Sequence, residues 1–225
     1  MERVTDYGEV ATAKTLARLL SSIPIGVHGP VQVCICDIHT LQNHFYFGDN
    51  IMVRLETCTG LIKEEMRRMK HLSVAFPDEG ASKRYSRIFH RYPQIICTKI
   101  RDGNQRRVHL KEGDVEGRNV IIINDLVQTG GTLAECAKVL KEKGCNQVSC
   151  FVTHSVFPKD SWKRFCKNGK NQGLFDTFYV TDTIPDITNQ LKDHPPFKVL
   201  SNAIIYLPVI QDDEDAIPAF DALNI

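Results

Sequence analysis

Two rhythms alternate along this chain. Short aliphatic or β-branched runs occur at Val31–Cys36, Leu72–Phe76, Gln94–Thr98, Val120–Ile123, Gln147–Thr153, Asp176–Val180 and Lys198–Leu200. Each predicts a strand. Between them come stretches in which apolar residues return at helical spacing. Glu9–Ser22 carries Val10, Ala13, Leu16, Leu19 and Leu20 on one stripe. Leu55–Lys70 carries Leu61, Ile62, Met66 and Met69, and Leu133–Lys143 carries Leu133, Ala137 and Leu140 with Gly144 past its end. Gly80–His90 and the short Asp160–Cys166 also read as helices, and Ser201–Ile210 does so until Pro208. Leu41–Phe47 is an aromatic segment closed by Gly48-Asp49-Asn50, and Lys99–Gly117 breaks every periodicity and reads as a long loop. Strand and helix in alternation predict an α/β fold with a mainly parallel sheet.

The stretch Asn119–Thr132, NVIIINDLVQTGGT, organises the rest. Its unbroken β-branched run suits a strand buried on both faces. Asn124 and Asp125 are expected at the C-terminal end of that strand, where open α/β sheets place ligands. Gln128, Thr129, Gly130, Gly131 and Thr132 follow as a tight turn before a helix. Two glycines let backbone N–H groups approach an anion, two threonines add hydroxyl donors, and the helix start adds partial positive charge. Asp125 can accept hydrogen bonds from sugar hydroxyls. The pattern therefore suits a ribose 5-phosphate. The plain alternative is an ordinary strand-to-helix turn capped by Thr132.

Other clusters sit at strand ends. Asp37-Ile38-His39 places an acid and an imidazole two residues apart, a candidate contact for a hard metal or a nucleotide phosphate. Alternatively, the histidine is satisfied by a backbone carbonyl. In Phe76-Pro77-Asp78-Glu79-Gly80-Ala81-Ser82-Lys83-Arg84, Asp78 either caps the following helix or faces a substrate cleft with Lys83 and Arg84 near phosphates. The loop after Thr98 carries Lys99, Arg101, Arg106, Arg107 and Lys111. Lys99 and Arg101, one residue apart, point the same way on an extended segment.

Composition narrows the class. A net charge of +1 over 225 residues leaves no field for nucleic acid or a membrane surface. No apolar run approaches a membrane span, and Met1-Glu2-Arg3-Val4-Thr5-Asp6 does not read as a signal peptide. Eight cysteines include no CxxC, and several lie in apolar runs. That favours free thiols in a reducing compartment, here the cytoplasm. One domain plus a partial second is expected from the length.

With these residues in hand, Asn119–Thr132 resembles the ribose-phosphate loop of type I phosphoribosyltransferases and of phosphoribosyl pyrophosphate (PRPP) synthetases. Those loops usually follow two adjacent acids, and here the first is Asn124. Asp37-Ile38-His39-Thr40-Leu41-Gln42 with Phe45-Tyr46-Phe47 resembles the acid-aliphatic-His signature of PRPP synthetases, which phosphoribosyltransferases lack. Pro77-Asp78 with Lys83-Arg84 is similar to another string of that family, although Glu79 is bulkier than its usual small residue. Thr153-His154-Ser155 and Thr181-Asp182-Thr183-Ile184-Pro185 resemble two more. The segments GEVATAKTLARLL, VHLKEGDVEGR and NDLVQTGGTL are closest to the plant-type, phosphate-independent branch.

The resemblance implies a type I phosphoribosyltransferase-like parallel-sheet domain, 53–200, plus a remnant of a second similar domain, 1–52, with a C-terminal helix and acidic tail, 201–225. It implies a ribose-phosphate diphosphokinase that uses Mg2+–ATP and ribose 5-phosphate to give PRPP and AMP. Lys99 and Arg101 would lie on a mobile catalytic hairpin. Asn124, Asp125, Gln128, Thr129, Gly130, Gly131 and Thr132 would bind the ribose phosphate. Arg3, Lys83 and Arg84 would contact nucleotide, and Asp37, His39, Asp49 and Asp78 the metal. It further implies a homo-oligomer or association with full-length homologues. The family's usual N-terminal segment is missing, so uncovered apolar faces are expected on the remnant. Two rivals remain: a non-catalytic subunit, favoured by Asn124, and a phosphoribosyltransferase, for which no base-covering segment is found.

Overall fold

The β-branched runs form strands at the expected places, but the strands are longer and more numerous. The computed structural model describes residues 7–8, 10, 12–27, 29–102 and 105–203, with backbone alone at 101–102 and 105–107. Arg3, the Arg101 side chain and the expected tail after Ala203 lie outside the described residues. Contacts divide the chain into two units, Met1–Thr57 and Cys58–Ile225.

The first unit holds helix α1 (Thr12–Ser21), strands β1 (Val31–Cys36) and β2 (Ile51–Glu56), and a 3-10 turn at Leu41–Tyr46. β1 and β2 pair in parallel, Val31 opposite Ile51 through Cys36 opposite Glu56. The helix expected from Leu55 is corrected here, because Leu55 and Glu56 end β2 and helix α2 begins only at Thr59. The alternation Ile51, Val53, Leu55 is a strand period that the following helical run obscured. The expected boundary after Met52 falls inside β2.

Ser21 ties α1 to the loop before β2. Its hydroxyl accepts the Gly48 N–H at 2.8 Å, and the Asn50 amide donates to its carbonyl at 2.6 Å. The α1 stripe does not form a core. Only Ala17 is buried, while Leu16 and Leu19 are 58% and 64% exposed. Ile25, Val27, Phe45 and Met52 are exposed as well. Two parallel strands offer too little surface to cover an amphipathic helix.

The second unit is built on a seven-stranded sheet in the order β5-β4-β3-β6-β7-β8-β9. Its strands are β3 (Leu72–Phe76), β4 (Gln94–Asp102), β5 (Gln105–Glu112), β6 (Asn119–Val127), β7 (Gln147–Ser155), β8 (Phe178–Thr181) and β9 (Phe197–Leu200). All neighbours are parallel except β4 and β5. The helices are α2 (Thr59–Met66), α3 (Glu79–Tyr85), α4 (Gly131–Glu142) and α5 (Pro185–Leu191), with a 3-10 segment at Pro158–Phe165. β3 and β6 lie inside the sheet and are buried almost throughout, as their apolar runs require.

The expected loop over Lys99–Gly117 is in fact an antiparallel hairpin, Lys99 opposite Val108 and Ile100 opposite Arg107. Charged residues on a sheet edge hid the strand period there, a common protection of an unpaired edge. The core pairs Ala75, Ile122 and Val152 of the sheet with Leu133, Ala137 and Leu140 of α4. Phe157, Phe165, Phe175, Phe178 and Phe197 belong to the same core and meet edge-on or tilted.

Candidate ribose-phosphate and diphosphoryl site

β6 carries the site. It continues past Ile123 to Val127, so Asn124 and Asp125 lie within the strand rather than at its end, with Asn124 opposite Val152 and Leu126 opposite His154. Asp125 is only 5% exposed. The Arg84 guanidinium of α3 donates to its Oδ2 at 2.6 Å. Burial lowers the Arg84 pKa, but the Asp125 charge and hydrogen bond outweigh it and leave the pKa raised. The neighbouring Asn124 side chain turns back on its own strand, donating from Nδ2 to the Leu126 carbonyl at 3.0 Å.

The turn after β6 brings Gly130 into the left-handed region, φ +75°, and α4 starts at Gly131. No side chain caps this helix, so Thr132 does not play the capping role of the plain alternative. The amino-terminal N–H groups of α4 have no carbonyl partner within the helix. Gln128 and Thr129 are exposed beside them. Two neighbours brace the turn: Val156 N–H donates to the Val127 carbonyl at 2.9 Å, and the Ser161 hydroxyl to the Gln128 carbonyl at 3.4 Å. The sequence reading missed Val156 and Ser161 as supports, because they are far along the chain and were not read as part of this turn.

A second group lies where β3 ends, beside β4. Asp78 is extended at the start of α3, and its Oδ1 accepts the Ala81 N–H at 3.0 Å. Its Oδ2 accepts from Lys99 Nζ at 3.0 Å. One carboxylate thus caps α3 through one oxygen and holds Lys99 through the other. Glu79 pairs with Lys111 of β5 at 2.9 Å. That hydrogen bond lowers the Glu79 pKa and raises the Lys111 pKa. α3 thus takes part in two ion pairs, Arg84 with Asp125 of β6 and its N-cap Asp78 with Lys99 of β4, whereas Lys83 is exposed. His154 is engaged elsewhere: its Nδ1 lies 3.1 Å from the Thr183 hydroxyl.

In the first unit, Asp37 follows β1 with φ +42° and is buried. Its N–H donates to the Glu56 carbonyl at 2.8 Å, and its Oδ1 accepts the Thr57 hydroxyl at 2.8 Å. A non-glycine residue in that conformation is uncommon. His39 and Asp49 are exposed. Among the described residues, no group of three or more His, Cys, Asp or Glu side chains is placed to hold a metal.

The α3 cap gives a first prediction. Asp78→Ala should destabilise the second unit by about 1 kcal/mol in urea unfolding, while Asp78→Asn, which can still cap, should lose only a fraction of that. Equal losses would mean that the Lys99 contact, not the cap, is what matters.

Comparison with known proteins adds the decisive observation. A family model described as a phosphoribosyl synthetase-associated domain matches residues 98–207. Ribose-phosphate pyrophosphokinase 3, chloroplastic, of Oryza sativa is 47% identical over 207 residues, 90% of this chain and 51% of that protein. Over that 90% of its length the chain is similar to ribose-phosphate pyrophosphokinases. Its plant-type character holds too, since a bacterial ribose-phosphate pyrophosphokinase from Marinomonas is 30% identical over 206 residues.

The crystal structure of phosphoribosylpyrophosphate synthetase from Mycobacterium smegmatis superposes with a TM-score of 0.67 at 27% identity, covering 92% of this chain and 66% of that one. The α/β, type I phosphoribosyltransferase-like fold is therefore shown. The chain spans about half the length of the first relatives it matches, 51% in the rice protein. Among the described residues no helix is long and apolar enough to cross a membrane. Two relatives carry the words chloroplastic and mitochondrial in their names.

Proposed function

We propose that this chain performs ribose-phosphate diphosphokinase chemistry. The ribose 1-hydroxyl attacks the β-phosphorus of ATP, the bond to the α-phosphate oxygen breaks, and PRPP and AMP result. The single observation that carries this reading is the seat after β6. A buried carboxylate, Asp125, stands beside a glycine turn and an uncapped helix start. The cradle, Gln128 to Thr132, takes the 5-phosphate, while Asp125 and Asn124 take ribose hydroxyls. Asp125 must then exchange Arg84 for the sugar, which frees that guanidinium for phosphate.

Phosphoryl-type transfer depends mainly on alignment and charge neutralisation. Lys99 sits on the hairpin with its ammonium on Asp78, so loss of that partner makes it available to the transferring diphosphoryl group. Arg101 shares this role. Lys83 and Arg84 on α3, with Arg3, serve the nucleotide. Mg2+ is commonly held by one or two carboxylates together with substrate phosphates, so a protein cage is not required. A carboxylate such as that of Asp78 in the second unit suits that hard cation, and so, in the first unit, do the carboxylates of Asp37 and Asp49 and the imidazole of His39. Bound Mg2+ supplies neutralisation of the triphosphate charge. Met1–Thr57 is read as the remnant of one family half and the second unit as the other. Exposed Leu16, Leu19 and Phe45 support assembly as a homo-oligomer or with full-length homologues. Eight free thiols support a reducing compartment such as the cytoplasm.

The test is AMP release from ATP that depends on ribose 5-phosphate. AMP should appear with the folded full chain and Mg2+; its absence would end this reading. A second reading, a non-catalytic subunit, is favoured by Asn124, whose amide is uncharged and engaged with Leu126. Asn124→Asp should raise the rate at least about tenfold, roughly 1.4 kcal/mol of barrier, if the missing charge is what limits turnover. An unchanged rate would show that the limit lies elsewhere.

A further inference from the structure

Two of the eight cysteines touch each other, and the chemistry proposed above uses neither. Cys97 of β4 and Cys136 of α4 are both fully buried, and the Cys136 thiol donates to Cys97 with the sulfurs 3.6 Å apart. Cys97 lies where the β4–β5 register shifts, between Ile96 and Cys97. Such an irregularity leaves a strand local freedom that a continuous ladder lacks. Cys97 is also two residues before Lys99, at the root of the hairpin. Cys136 is on the helix whose first turn forms the phosphate cradle. Val108 and Leu110 of the hairpin pack into the same core as α4. The two sulfurs therefore mark the contact between the hairpin and α4.

We propose that Cys97 and Cys136 form a reversible disulfide on exposure to a peroxide, locking the β4–β5 hairpin to α4. A disulfide brings sulfurs to about 2.05 Å, so the pair, now at 3.6 Å, must close by about 1.5 Å. Side-chain rotation at a bulged position can provide such a shift. The steps balance as follows. The Cys97 thiolate attacks one oxygen of hydrogen peroxide, giving a Cys97 sulfenic acid and releasing water after proton uptake. The Cys136 sulfur then attacks the Cys97 sulfur, its proton joins the departing hydroxide, and a second water leaves. Two thiols are oxidised and one peroxide is reduced.

The electrostatics of the pair favour Cys97 as the thiol that reacts first. The hydrogen bond from Cys136 lowers the Cys97 pKa against the opposing effect of burial, while the same bond and burial raise that of Cys136. The thiolate is the nucleophile in such reactions. Access comes through the hairpin itself. β5 is the edge strand of its sheet, so lifting it uncovers Cys97 without opening the centre of the fold. Cys150, fully buried on β7, has no such route.

The crosslink stands independently of the diphosphokinase reading; only its effect on turnover rests on that reading. The experiment uses the reduced full chain treated with hydrogen peroxide and digested without reductant. A peptide pair joined at Cys97 and Cys136 is expected, with loss of two titratable thiols and recovery by dithiothreitol. Backbone amide exchange over 105–112 should slow at least several-fold in the oxidised form. Cys136→Ser should stop at a dimedone-reactive Cys97. Should that variant not fold, mapping of the wild type decides alone. Oxidation confined to the half-buried Cys34, Cys145 and Cys166, or Cys97 sulfinic acid with no joined peptide, would overturn the proposal. So would a crosslink that leaves hairpin exchange unchanged. If the reduced protein releases AMP, release should fall several-fold on oxidation and return with reductant. If the reduced protein releases none, the diphosphokinase reading has failed, while mapping and exchange still decide the disulfide.

Discussion

Arg84→Ala is expected to lower the stability of the second unit by roughly 3 kcal/mol, the low end of what removal of one partner from a buried pair costs. The reason is the charge left behind. The Asp125 side chain is 7% exposed, while that of Arg84 is 27% exposed, so the carboxylate rather than the guanidinium is the stranded group. Partial exposure of Arg84 means that water reaches one side of the pair, which keeps the loss from the upper end of the range. The order of severity follows. Asp125→Asn leaves a partly hydrated guanidinium beside a neutral amide and should cost less. The double variant should cost less than the sum, because each single change removes the same interaction. Urea unfolding of all three variants measures this, and losses that simply add would mean that the 2.6 Å contact does not contribute. The pH dependence has a definite sign. The folded pKa of Arg84 is raised, so its contribution is complete below the unfolded value and is lost only as pH rises through the folded one. That window lies above the ordinary arginine pKa, so the Arg84 side of the pair should be pH-independent across the neutral range.

This ion pair also marks what the chain revealed before folding. The elements of the second unit were legible wherever one physical cause dominated. β3 and β6 are apolar because both faces are covered, and they read as strands. Asp78 read both as a cap and as a cleft residue; the structure gives it the cap, and beside it a bond from Lys99. Periodicity failed where two causes compete. In the hairpin the demands of an edge placed Lys and Arg on a strand, and the pattern looked like a loop. At Leu55 the end of β2 ran straight into residues with helical spacing. On α1 the stripe was real, but Leu16 and Leu19 are exposed, so amphipathicity did not imply burial. The Arg84–Asp125 partnership joins residues 41 positions apart, and no local pattern encodes such a pairing. Arg84 was picked out for nucleotide; its partner in the structure is Asp125, the acid proposed to take ribose hydroxyls.

Gly130→Ala and Gly131→Ala should act in opposite directions on stability, and the contrast tests the seat itself. At Gly130 an added Cβ would lie 2.6 Å from Phe165 Cζ and 2.7 Å from its Cε2, on a residue with φ +75°. The ring cannot swing aside, because Phe165 is packed against Phe157, Phe175, Phe178 and Phe197. Overpacking of about 1–3 kcal/mol adds to about 1–2 kcal/mol for a left-handed alanine. A loss of roughly 2–5 kcal/mol in thermal or urea unfolding is expected. At Gly131 the nearest atom to an added Cβ is Thr129 Oγ1 at 3.8 Å, and the residue already begins α4. Gly131→Ala should therefore leave the fold unharmed or stabilise it by about 0.5–1 kcal/mol. Its effect belongs to the ligand: a methyl at the helix start stands where a phosphate must meet backbone N–H groups. Ribose 5-phosphate affinity, measured by calorimetry, should fall at least about tenfold in a protein that is no less stable. Stability and affinity then separate in one substitution. Undiminished affinity in Gly131→Ala would place the sugar phosphate somewhere other than the turn that follows β6.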